Sequence, residues 1–183
     1  MCGLVGVMGN IIRRDRVALY WLLHLDVIRG EDSTGIAAIH KETLGGKDHF
    51  TARVFKEVGH PSELYDSYPE DFPNDFYEPK SGAYNSYCLI GHNRAATQGL
   101  VNANNAHPFD MGNVIGAHNG TVDQWTMTSL NGYEEHDIDS KIIYKHINDT
   151  GQVQEVWDVA DGAMALTWWD KKENALKVVR NNQ

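Results

Sequence analysis

The chain predicts a fold of helices layered on β-sheet, and three observations carry that prediction. Short apolar runs of strand character stand at both ends, at residues 4–8 and again at residues 163–169 and 175–180. Between them lie two stretches of helical character, residues 15–28 and a segment beginning at Asp137. The 183 residues, 42% hydrophobic and 22% charged, are enough for one domain with a sizeable core and do not resemble a disordered composition. Strands at both ends with helices between imply layers of the two, while periodicity by itself leaves the topology open.

Residues 4–8 read as a buried strand bounded by glycines. Residues 15–28 follow as a helix, with Asp15 as its cap and Ala18, Leu19, Leu22, Leu23 and Leu25 as good helix formers, stopping at Arg29-Gly30. Residues 35–40 form a second apolar strand and residues 49–55 a third, weaker one. Residues 60–86 change character. Four of the five prolines (Pro61, Pro69, Pro73, Pro79) lie there among Glu63, Asp66, Glu70, Asp71, Asp75 and Glu78, so a long, irregular surface excursion is expected. Strands resume at residues 87–92 and 113–118. A helix starts over residues 137–146, capped by Asp139 or Ser140, with Ile142, Ile143 and Ile147 on one face. Residues 152–160 add a short helix, and the last two strands form a hairpin turning near residues 171–173.

Composition narrows the function classes. A formal net charge of -9 argues against a nucleic-acid backbone or an anionic membrane as partner. The N-terminus lacks the basic stretch of a signal peptide, and residues 17–28 contain His24 and Asp26 and are too short to span a bilayer, so the cytoplasm is expected. The two cysteines, Cys2 and Cys88, give neither a disulfide framework nor a zinc pattern. Cys88 reads as a buried strand residue. His92, His107 and His118 match no metal-ligand spacing and are expected as satisfied structural histidines, with no metal.

Cys2 differs because removal of Met1 makes it the first residue, with thiol and α-amine on the same residue. An α-amine with a pKa of roughly 7.7–8.0 is partly neutral near pH 7 and serves as a base toward its own thiol. Other polar groups sit where strands and helices end: residues 29–35, 91–99, 105–109, 117–121 and 137–140. An amide hydrolase acting on an amino acid needs a guanidinium for the carboxylate, an acid for the ammonium and donors for a tetrahedral oxyanion. Arg94, Asp139 and Asn119 with Gly120 supply these in that order. Asp32 and Ser33 are expected to shape a turn beside the site, and Asp137 to be a capping neighbour of Asp139.

Taken together, Met1-Cys2-Gly3, Arg29-Gly30-x-Asp32-Ser33-x-Gly35, Gly91-His92-Asn93-Arg94 through Gly99, Asn105-Ala106-His107-Pro108 and Ala117-His118-Asn119-Gly120 resemble the glutaminase domain of class II glutamine amidotransferases. These are N-terminal-nucleophile hydrolases, and the glucosamine-6-phosphate synthase type is the nearest in pattern. The resemblance runs from Cys2 to about Asn182. It implies an α+β, four-layer αββα sandwich in which helices flank two antiparallel sheets, with residues 60–86 as an acidic insertion in a single domain, 1–183. It implies hydrolysis of L-glutamine through a Cys2 thioester, with the Cys2 α-amine as base and with no cofactor. Arg94 and Thr97 would hold the substrate carboxylate and Asp139 its ammonium. Asn119 and the Gly120 N–H would hold the oxyanion, with Gly120 also lining the substrate. A synthase domain or subunit would accept the ammonia.

Three departures accompany the resemblance. Ala95 replaces an aromatic residue frequent after the arginine, and Gln98 replaces the histidine of the nearest relatives, so the pocket wall is expected to differ. The residues near 178–183 are usually followed by further strands, so the chain is expected to be truncated. Two other readings fit the same residues: an N-terminal-cysteine hydrolase for another amide, and a non-catalytic glutamine-binding module.

Overall fold

The computed structural model describes residues 2–72, 86–136 and 138–181. Met1, residues 73–85, Asp137 and residues 182–183 lie outside it, and with them the expectations for Met1 removal, for about half of the proline-rich excursion and for Asp137 as a capping neighbour.

Two antiparallel four-stranded sheets form the centre. The first takes β1 (Gly3–Met8), β2 (Ser33–Leu44), β3 (Lys47–Val58) and β4 (Cys88–Arg94) in the order β1-β4-β2-β3. The second takes β5 (Phe109–Asp110), β6 (Val114–Gly120), β7 (Met164–Asp170) and β8 (Ala175–Arg180) in chain order. The long β2–β3 hairpin turns at Gly45-Gly46, and the β7–β8 hairpin turns over residues 171–174. Five helices accompany them among the described residues: α1 (Arg13–Leu25), α2 (Pro61–Ser67), α3 (Gln124–Ser129), α4 (Asp139–Thr150) and α5 (Val153–Val159).

The alternation of side chains along each strand decides the layering. On β2, Ile36 and Ala38 pack with Leu19 and Leu23 of α1 and Leu64 and Tyr65 of α2. Their neighbours Ala37 and Ile39 point the other way, toward Ile115, Ala117 and Trp169 of the second sheet. The far side of that sheet, through Val114, Leu166 and Trp168, packs on Met127, Ile142, Ile143, Ile147 and Val156 of α3, α4 and α5. The order is therefore helix, sheet, sheet, helix, with three apolar interfaces. Fully burying each such side chain contributes about 1.5–3 kcal/mol. Tyr144 locks the last interface: its ring lies where Gly116 leaves room, and its hydroxyl donates to Ala117 O at 2.6 Å and Thr167 O at 3.1 Å, across the β6–β7 ladder.

Several sequence expectations shift. The first helix spans Arg13–Leu25 rather than residues 15–28, and a 3-10 turn, Asp26–Arg29, finishes it. Asp15 is not its cap; it sits in the first turn and reaches back to accept the Ile12 N–H at 3.1 Å, the acidic half of a capping box. Asp139 and Ser140 are likewise inside α4, with Ile138 at the cap position. The stretch expected to be irregular contains α2. Pro61 is tolerated because it stands in the first turn, where its missing N–H is no loss, and His60 accepts the Ser62 N–H at the cap. Buried Leu64, Tyr65 and Phe72 join the core there, and Arg53 of β3 forks onto Asp71. Helix α3 and strand β5 had no sequence signal strong enough to mark them, being six and two residues long. Among the described residues, no helix is long and apolar enough to cross a membrane.

Candidate active site

The facing sides of the two sheets turn polar toward one end. On β4 the residues sharing a face run Cys88, Ile90, His92, Arg94, and on β6 they run Ile115, Ala117, Asn119. Cys2, immediately before β1, lies at that polar end. Its Sγ accepts the Ala95 N–H at 3.2 Å and is 3.5 Å from Ala95 O. The Cys2 carbonyl accepts from Asn119 Nδ2 at 2.7 Å and from Arg29 Nε at 3.0 Å. The thiol is half-buried. By contrast, Cys88 is fully buried, and burial pushes its thiol up to about 12, which leaves it inert near neutral pH.

The segment around Arg94 and Ala95 is clasped from the α1 side. Asp32 N donates to Arg94 O at 3.0 Å, and Asp32 Oδ2 accepts the Ala96 N–H at 2.7 Å. Gly30 lies against the same peptide, since a Cβ there would stand 2.4 Å from Ala95 N and 2.5 Å from Arg94 C. The need for glycine is one of space, because its backbone is extended. The turn role expected for Asp32 is thus a direct grip on the loop that faces the thiol.

Two cavities meet at Cys2. One is a crevice of about 20 Å³ lined by Cys2, Arg94, Gln98, His118, Gly120 and Asp139, among others. The other, about 460 Å³, opens beside it between Arg29, Asn119, Ala163, Met164 and Arg180. As it stands the crevice has room for about one water. Arg94 is buried, and its guanidinium donates to Leu100 O at 3.2 Å and to Gln98 O, which ties down the loop of residues 95–101. Thr97 is exposed and its hydroxyl meets that of Thr121 at 3.2 Å. Asp139 is buried, and donors already surround it: Ser140 N at 2.7 Å, Ser140 Oγ at 3.2 Å and Val122 N at 3.1 Å. A carboxylate offers about four acceptor sites, so roughly one remains for a cation. Gln98, one of the departures in the sequence, accepts the Asp139 N–H through Oε1 at 3.4 Å, a long contact joining the loop to the start of α4.

The three histidines expected to be satisfied are buried but only partly satisfied. His92 and His107 lie with ring centres 4.1 Å apart and planes tilted by 38°, and a cis peptide joins His107 to Pro108. His92 Nδ1, both His107 nitrogens and His118 Nε2 have no hydrogen-bond partner among the described residues. The sequence expectation failed because it treated each histidine alone, whereas β4, β6 and the 107–109 segment bring them into one dry cluster. Burial pushes His92 down to about 3 and holds His107 well below the usual imidazole range. His118 is lowered for the same reason, with the nearby Asp139 charge opposing. All three are neutral at pH 7. No cluster of metal-ligating side chains occurs among the described residues.

The fold thus brings Cys2, Arg94, Thr97, Asn119, Gly120 and Asp139 around two adjoining cavities. Two residues beside this group have no site role in the sequence reading: Arg29, which bonds the Cys2 carbonyl and whose signal is its place straight before Gly30, and His92, which bonds Asn119 and reads from sequence as structural.

Fold and site define a class: a helix–sheet–sheet–helix protein with a thiol one residue from the chain start, backed by a side-chain amide and flanked by a buried arginine and a buried acid. No protein-family model matches the chain. Among curated proteins it is similar to the glutamine–fructose-6-phosphate aminotransferase (isomerizing) of Listeria monocytogenes, 31% identical over 153 residues, covering 80% of this chain and 22% of that protein. The enzyme of the same name from Methanococcus maripaludis is 35% identical over 127 residues, 68% of this chain and 18% of that one. That of Bacillus spizizenii is 25% identical over 197 residues, covering 100% of this chain and 29% of that one. The chain spans less than a third of the length of these curated relatives.

Proposed function

We propose that the chain is the glutaminase domain of a class II glutamine amidotransferase, an N-terminal-nucleophile hydrolase of the glucosamine-6-phosphate synthase type. The observation that carries this is the crevice that has the Cys2 thiol, the Arg94 guanidinium and the Asp139 carboxylate in its lining. The relatives' names, which state glutamine as a reactant, support it.

With Met1 removed, the Cys2 α-amine takes the thiol proton. L-Glutamine enters with its carboxylate toward Arg94 and Thr97 and its ammonium on the remaining acceptor site of Asp139. The thiolate attacks the side-chain amide carbon. One N–H of Asn119 Nδ2 is held by the Cys2 carbonyl; the other, with the Gly120 N–H, takes the oxyanion. Such preorganised donors are worth 10²–10³ in rate, about 2.7–4 kcal/mol each. The α-ammonium returns its proton to the departing nitrogen, ammonia leaves, and water attacks the Cys2 thioester to free glutamate. A synthase domain or subunit receives the ammonia. No step calls for a cofactor.

A second reading, an N-terminal-cysteine hydrolase for another amide, draws on the larger cavity, whose lining includes Ala95, Ala163, Met164 and Ala165 on one side of Cys2. The test serves both. Intact-mass measurement establishes that Met1 is gone, and glutamate release is then followed with glutamine alone and in competition with an acylated amine. Cys2→Ala should abolish release and leave glutamine binding intact. A processed wild-type chain that leaves glutamine whole but cleaves the acylated amine would sink the first reading in favour of the second.

A further inference from the structure

We infer that His92 is a positioning residue for Asn119: its Nε2–H fixes which edge of the Asn119 amide faces Cys2. The inference rests on the proposed roles of Cys2 and Asn119. His92 is fully buried, and its Nε2 lies 3.1 Å from His118 O and 3.0 Å from Asn119 Oδ1. A backbone carbonyl only accepts, so Nε2 carries the ring proton. The Asn119 atom sharing that proton is then the oxygen, and the amide nitrogen is left on the opposite side. There it meets the Cys2 carbonyl at 2.7 Å, a second group that can only accept. Two carbonyls at either end of the chain of bonds therefore admit one tautomer and one amide orientation. The reversed amide would set oxygen against the Cys2 carbonyl and N–H against N–H.

The consequence is chemical. A reversed Asn119 presents a lone pair where a negative oxygen has to form. Among the described residues His92 is the one donor to Asn119 Oδ1, and its ring packs against that of His107 at a tilt of 38°. Because the dry surroundings keep the imidazole neutral down to about 3, the single-proton form that makes this bond persists through the neutral range. His92 is not itself in the lining of the crevice or the cavity, so it acts through its neighbours, of which Asn119 is the one beside the Cys2 carbonyl.

A double-mutant cycle on the full chain, with Met1 removal verified by mass, tests this by glutamate release from L-glutamine. His92→Leu should lower kcat by about tenfold to a hundredfold, less than or equal to the loss of an oxyanion donor, with KM changed by less than about twofold. His92→Gln, whose amide nitrogen reaches the place of Nε2, should recover most of that loss. In an Asn119→Ala background, His92→Leu should add nothing beyond about twofold, since an absent amide needs no orientation. Thermal melts of each variant are recorded alongside, and His92→Phe, which keeps a ring on His107 without the donor, replaces the leucine variant if the latter does not melt cooperatively. Equal losses in both backgrounds, a loss confined to KM, or a glutamine variant as poor as one lacking the donor would overturn the assignment. A processed wild-type chain that releases no glutamate would instead overturn the underlying function, and the assignment with it.

Discussion

Lowering the pH from 7.0 to 5.5 should destabilise this fold through its buried histidines. His92 and His107 are buried, at 0% and 4% exposure; burial keeps His92 neutral down to about 3 and holds His107 well below the usual imidazole range. In the unfolded chain each titrates near 6.5. Below that pH the unfolded state binds more protons than the native one, so stability is full above about pH 7 and is lost as pH falls from 6.5 toward 3. For His92 the loss between pH 7.0 and 5.5 is about 1.3 kcal/mol, and His107 adds in the same direction. His118 adds in the same direction, reduced by the neighbouring Asp139 charge. Against a typical total of 5–15 kcal/mol this is a large fraction. The carboxylates whose pKa is lowered, such as Asp149 beside Lys145 and Asp170 within the β7–β8 turn, act in a more acidic window and do not confound the comparison. Urea unfolding at the two pH values measures the difference. His107→Phe should flatten the slope between pH 6.5 and 5.5, by at most about 1 kcal/mol over that unit, because the unfolded imidazole takes up on average about 0.7 proton there. Equal unfolding free energies at pH 7.0 and 5.5 would refute the argument, because they would mean that these rings are protonated, or wet, in the folded chain.

Three further outcomes follow from single contacts. Arg94→Ala should raise the KM for glutamine by one to two orders of magnitude through loss of a charge-assisted grip on the carboxylate, and should also loosen residues 98–100, visible as faster proteolysis there; an unchanged KM removes Arg94 from the binding site. Gly30→Ala should destabilise by about 1–3 kcal/mol, because its Cβ would press on backbone atoms 2.4–2.5 Å away rather than on a yielding side chain; a thermal melt checks this. Tyr144→Phe should cost about 1–2 kcal/mol, since two buried carbonyls of the β6–β7 ladder lose their shared donor, and a melt at the wild-type temperature would show that the bond carries no weight.

The candidate site was legible in the sequence to the extent that its residues are written in short motifs. Cys2, Arg94, Asn119, Gly120 and Asp139 each stand beside a strand or helix end, and chemistry by residue type singled them out before any geometry was known. What the motifs did not convey was how the groups are already engaged. Arg94 spends donors on the carbonyls of its own loop, and Asp139 is surrounded by Ser140 and Val122 donors. Arg29 escaped notice because its role is carried by a contact to the backbone of a residue 27 positions away.

Most of the strands and the helices α1 and α4 were determined by the sequence itself, because hydrophobic periodicity is local; their caps were not. The tertiary structure alone decided that β1 pairs with β4, that the two sheets face each other, and that three histidines from distant segments form one dry cluster. Those outcomes depend on which apolar faces are left to cover one another after the local elements form, and no window of neighbouring residues contains that information. The orientation of the Asn119 amide belongs to the same category: it follows from an imidazole 27 residues earlier in the chain and a carbonyl 117 residues earlier, and only the packed sheets bring the three together.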